Sequence, residues 1–181
     1  MSSNAGDQRN WIERLTEKIP GYSGYVERER RRDIDKLHRE RVADRLRALK
    51  SPLTDMMREL SSSGRLMEVG PIDLAIKKLD RLENRVRFAS YGYSGFFDAV
   101  KIEQDQLDSI YKFDLALVEH VDKLEAKLGE LKTKAGTAEG LKTTSAEVAS
   151  MLDEIDRAFD QRYAAINNFV EGQPPGRPLF S

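Results

Sequence analysis

Cysteine is missing from all 181 residues, which rules out disulfides, thiolate metal sites and a cysteine nucleophile. Histidine is nearly missing. His38 and His120 are the only two and stand far apart, so a histidine-built zinc centre or a Ser-His-Asp triad is poorly supplied. The longest apolar runs span only a few residues, far short of the ~20 that a membrane-crossing helix needs. The opening MSSNAGDQRNW lacks the apolar stretch of a secretory signal, and a cytoplasmic protein is expected. Nor does either sign of charge dominate: 30 Lys and Arg against 31 Asp and Glu leave a net charge of -1. A chain so balanced has no general pull on polyanions, so contact with nucleic acid or anionic lipid would need a local patch.

What the chain does have is charge and helical periodicity. Charged residues make up 34% and hydrophobic residues 39%, the composition of helices that each bury one stripe and leave the rest in water. Asn10 with Glu13 reads as the cap of a short helix carrying Trp11, Ile12, Leu15 and Ile19, closed by Pro20-Gly21. A charged helix follows over about 25–49, its narrow stripe running through Val26, Ile34, Leu37, Val42, Leu46 and Leu49. Ser51-Pro52 reads as a restart, with Ser as cap, for a helix that turns Leu53, Met56, Met57 and Leu60 inward. After Gly70-Pro71, Ile72, Ala75, Leu79, Leu82, Val86 and Ala89 recur at three- and four-residue steps. The strongest seam is Leu107, Ile110, Asp114, Leu117, Val121, Leu124, Leu128 and Leu131, on a helix of about 40 Å. Gly136 and Gly140 mark a turn, and Thr144 with Glu147 reads as a capping box for a last helix bearing Val148, Leu152, Ile155, Phe159, Ile166 and Phe169.

No segment alternates in the manner of a strand. The expected fold class is all-α: an antiparallel helical bundle with a long heptad-patterned, coiled-coil-like hairpin over about 104–170 and the charged helix over 25–49. Residues 1–172 are expected to form a single helical domain with a disordered stretch at 1–9, followed by a proline-rich tail at 173–181. The hairpin resembles bacterial helical-hairpin scaffold proteins of the phage-shock membrane-stress type. The likeness rests on periodicity over the last half of the chain and transfers no residue role.

Candidate functional residues fall into a few groups. Gly21-Tyr22-Ser23-Gly24-Tyr25 is echoed by Gly92-Tyr93-Ser94-Gly95-Phe96, so Tyr22, Tyr25, Tyr91, Tyr93 and Phe96 are either aromatic corners of the fold or a partner-binding patch. Leu179 and Phe180 in the tail have the form of a linear docking motif. Arg28, Arg31, Arg32 and Arg39 are the candidate phosphate contacts, although interleaved acids favour an ion-paired surface. Asp98, Glu103, Asp105, Asp108 and Asp114 do not follow calcium-loop spacing, and no metal site or cofactor is expected. Asp114 is the exception worth following: a charge on an apolar seam is either paired inside, with Arg32 or Arg39, or turned to solvent. His38 and His120 read as surface or capping residues with no proton-transfer role.

The pattern favours a non-enzymatic scaffold or adaptor that binds a protein partner or copies of itself. Peripheral membrane association and nucleic-acid binding through Arg28–Arg47 are the alternatives, neither of them favoured.

Overall fold

The computed structural model of the chain describes residues 31–89 and 104–170, which form five α-helices, one 3-10 turn and no strand. They are α1 (Arg31–Ala48), α2 (Lys50–Ser62), the turn Leu66–Glu68, α3 (Val69–Phe88), α4 (Gln104–Lys134) and α5 (Ala138–Val170). The all-α bundle and its long C-terminal hairpin are therefore as expected.

The boundaries show which local signals acted. Leu49 separates α1 from α2 while keeping near-helical angles of φ -70° and ψ -13°. Pro52 explains the break: it has no N–H to give Ala48, and its ring crowds that carbonyl. Helix α2 thus starts at Lys50 with Pro52 in its first turn, and Ser51 is not its cap. At the other end, Arg65 donates to the Leu60 carbonyl and Gly64 to that of Ser61, a Schellman closure that needs the φ of +77° taken by Gly64. The last helix starts earlier than Thr144. Thr137 is its cap, its Oγ1 accepting the Gly140 N–H at 3.1 Å, while Thr144 is buried inside the helix and Glu147 pairs with Lys127.

Partner residues reveal how the rods run. Lys127 meets Glu147 and Asp114 meets Arg162, so α4 and α5 are antiparallel, the most extensive contact in the fold. Asp44 of α1 meets Arg87 and Lys50 of α2 meets Asp80, so α3 returns antiparallel to the α1–α2 rod. Asp35 and Asp114 meet at Arg162 and Arg45 meets Asp122, so α1 is parallel to α4; Lys78 meets Asp153 and Arg85 meets Asp160, so α3 is parallel to α5. Two hairpins, α1–α2/α3 and α4/α5, stand side by side with their tips at one end. There Arg65 of the first tip donates to the Ala135 carbonyl of the second at 2.7 Å. Arg31, Ala89, Gln104 and Val170 gather at the opposite end.

The main core runs along the shared axis, with Leu46, Leu53, Ile72, Leu79, Leu117, Val121, Leu131, Leu152 and Ile155 among its buried members. Each such side chain contributes about 1.5–3 kcal/mol by leaving water. A smaller cluster, Ile110, Phe113, Ala165 and Ile166, lies towards the end away from the tips. One expected core residue is misplaced: Leu37 is 53% exposed, because α1 presents Asp35, His38 and Arg39 inward instead. Stepping back from Leu46 and Val42 by threes and fours lands on those positions, and Leu37 falls beside the stripe.

Gly140 is required by close packing in the first turn of α5. A Cβ there would sit 2.6 Å from the Lys134 carbonyl oxygen and 2.8 Å from Thr137 Oγ1. Gly140→Ala is expected to lower stability by about 1–3 kcal/mol despite the better helix propensity of alanine, as chemical denaturation would show.

A buried ionic layer as candidate functional site

Between the main core and the smaller apolar cluster, five ionisable side chains meet out of water. Asp35, His38 and Arg39 come from one face of α1, Asp114 from α4 and Arg162 from α5, and all are buried. Asp114 is 0% and Arg162 1% exposed. Spacing explains the convergence. Asp114 occupies a seam position between Ile110 and Leu117. Arg162 occupies the seam position between Phe159 and Ile166 on the helix packed against it.

Arg162 is the hub. Its Nε donates to Asp114 Oδ1, and one terminal nitrogen reaches Asp35 Oδ1 at 2.5 Å and Asp114 Oδ2 at 3.4 Å. Arg39 Nε donates to Asp35 Oδ2 at 2.9 Å, and its Nη1 to the Arg87 backbone carbonyl at 3.3 Å, which ties α3 to the layer. His38 Nε2 lies 3.5 Å from Asp114 Oδ1 and makes no hydrogen bond.

The charges close. Burial works to raise the Asp35 pKa, but the Arg162 and Arg39 guanidiniums outweigh it and hold the carboxyl below its usual range. For His38 burial wins: it lowers the imidazole pKa against the pull of Asp114 and Asp35, with Arg162 and Arg39 acting in the same direction as burial. Two carboxylates, two guanidiniums and a neutral imidazole then sum to zero, the condition under which ions tolerate a low-dielectric interior.

The cleft between the hairpin tips, about 620 Å³, contains none of these residues. It is lined by Pro52, Met56, Glu59, Leu60, Arg65, Lys132 and Ala135, among others. Large apolar side chains are exposed at both ends of the bundle: Leu66 and Met67 at the tips, Leu37 and Phe88 towards the other end. Among the described residues no group of three or more His, Asp or Glu is arranged to hold a metal ion, and no helix is long and apolar enough to cross a membrane.

Several expected sites are relocated. Asp114 does face inward, where its partner is Arg162; of the two expected partners, Arg39 is paired with Asp35 instead, and the side chain of Arg32 lies outside the described residues. The structure places Arg39 in the interior, committed to Asp35 and to the Arg87 carbonyl, where its guanidinium does not face solvent. His38 is buried, not on a surface face. Tyr22, Tyr25, Arg28, Tyr91, Tyr93, Phe96, Leu179 and Phe180 lie outside the described residues, as do the side chains of Arg31 and Arg32. Asp35, His38 and Arg162 were not foreseen as a site. The signal was the run Val148, Leu152, Ile155, Phe159, Ile166, whose one skipped step is occupied by an arginine. No family model, curated protein or solved structure matches the chain.

Removing one member should hurt more than removing a pair. Arg162→Met strands the buried Asp114 carboxylate and leaves Asp35 with Arg39 alone, and is expected to cost about 3–5 kcal/mol in urea denaturation. Asp114→Leu added to it should cost less than the sum of the single changes, a coupling that a double-mutant cycle reads directly.

The layer also predicts an acid response. The folded-state pKa of His38 lies below the ordinary 6.5, so its contribution is complete above 6.5 and is lost as pH falls towards the folded value. Asp35, also lowered, adds a further loss below its ordinary 3.8. Unfolding free energy should therefore decline as pH falls below about 6.5. His38→Gln should flatten part of that slope and leave the share of His120, whose pKa burial also lowers.

Proposed function

We propose that this chain is a non-enzymatic, cytoplasmic helical scaffold or adaptor that engages a protein partner, or copies of itself, through helix faces and the proline-rich segment 173–181. One observation carries the reading. A group of five ionisable side chains is buried with its charges matched internally, whereas apolar side chains such as Met67, Leu66 and Phe88 stand exposed at the surface. Groups that neutralise one another out of water hold helices in place. A reaction would need at least one of them to reach a substrate. Large apolar side chains left in water are, by contrast, the raw material of contact surfaces.

Light scattering of the purified chain, with affinity capture by the full chain and by a form lacking 173–181, tests the proposal. Association or a specific partner is expected, weakened by the truncation. A strict monomer from which neither form captures anything would sink it.

A further inference from the structure

We infer that the tip end of the bundle is a self-complementary docking face on which two copies of this chain pair about a twofold axis. The inference rests on the scaffold reading and deepens it. At the tip, the 3-10 turn carries Leu66 and Met67 outward, 66% and 95% exposed. The turn is held in that attitude by Arg65, which grips Glu68 beside it and the Ala135 carbonyl of the neighbouring hairpin. A long, flexible thioether standing in water next to a leucine is well suited to filling an irregular apolar gap.

Such a gap adjoins it. The tip cleft has Pro52, Met56, Leu60 and Ala135 among its apolar lining, and neither Leu66 nor Met67 lines it. Its volume of about 620 Å³ falls within the ~300–1,000 Å³ typical of sites that enclose ligand-sized groups. Glu59 on α2 and Lys132 at the end of α4 stand on its walls; neither has an opposite charge within ion-pair distance among the described residues, and Glu59 lies in the field of Arg65, whose hydrogen-bonded partner is Glu68.

An apolar knob, an apolar hole, a carboxylate and an ammonium thus share one end of one molecule. A twofold axis through that end brings each knob to the other copy's hole and sets each Glu59 against the second copy's Lys132. One operation fills two clefts and matches four charges, the self-complementarity an isologous interface requires. A second copy is the occupant argued for because the complement of this surface is present on the surface itself. The connections to residues 1–30, 90–103 and 171–181 all leave from the opposite end.

Sedimentation equilibrium of the full chain across concentration tests the pairing, with circular dichroism confirming that each variant folds. A monomer–dimer equilibrium is expected, weakened at least about tenfold by Met67→Asp combined with Leu66→Ser. Glu59→Lys and Lys132→Glu should each weaken the dimer by placing like charges together. Mixing the two single variants should restore it, because each then offers the charge the other lacks. A monomer at every concentration, a dimer indifferent to Met67→Asp, or no recovery on mixing would each overturn the pairing. A monomer that still captures a different protein overturns the pairing and leaves the scaffold reading standing.

Discussion

Arg162 reaching Asp114 across the α4–α5 interface is the contact on which the arrangement of this bundle turns. Apolar heptad seams are tolerant: slide one rod by two turns and leucine again faces leucine. A buried carboxylate is not tolerant. Displaced from its guanidinium it becomes an unpaired charge in a low-dielectric interior, at several kcal/mol per ion. The same guanidinium also holds Asp35 of α1, and through Asp35 and Arg39 the layer reaches the Arg87 carbonyl of α3. A single connected set of charges therefore specifies the register of all four long rods, while the leucines supply most of the driving force.

Position along the axis matters as much as chemistry. Ile110, Phe113, Ala165 and Ile166 close the layer on one side, and the main core closes it on the other. On the outside, ion pairs such as Arg45 with Asp122 and Lys50 with Asp80 follow the helix contacts. Being half in water, each contributes about 0–1 kcal/mol at most. They select orientation among neighbours that the core alone would accept in more than one way.

How far this was legible from the residues depended on how strictly period was put before polarity. On α3 the seam from Ile72 to Val86 is apolar throughout, and position and chemistry agree. On α1 they conflict. The inward positions carry Asp35, His38 and Arg39, so following the apolar residues led to the exposed Leu37. Asp114 showed itself as a polar seam residue, but its partner could be named only by asking what fills the skipped step on the last helix. Capping signals were ambiguous for a local reason: Thr137 and Thr144 can both cap, and the close approach of the chain at Gly140 selects the first. The aromatic corners, the basic residues Arg28, Arg31 and Arg32, and the tail bear on function and remain sequence readings.

Because both hairpins turn at the same pole, every remaining stretch of the polypeptide is attached at the other one. A fluorescent protein, a surface tether or a neighbouring domain joined directly before Arg31 or after Val170 would sit at that pole. Immobilised by an end, the molecule can present its turns outward and stand on a sensor surface like a post, with Met67 near its crown.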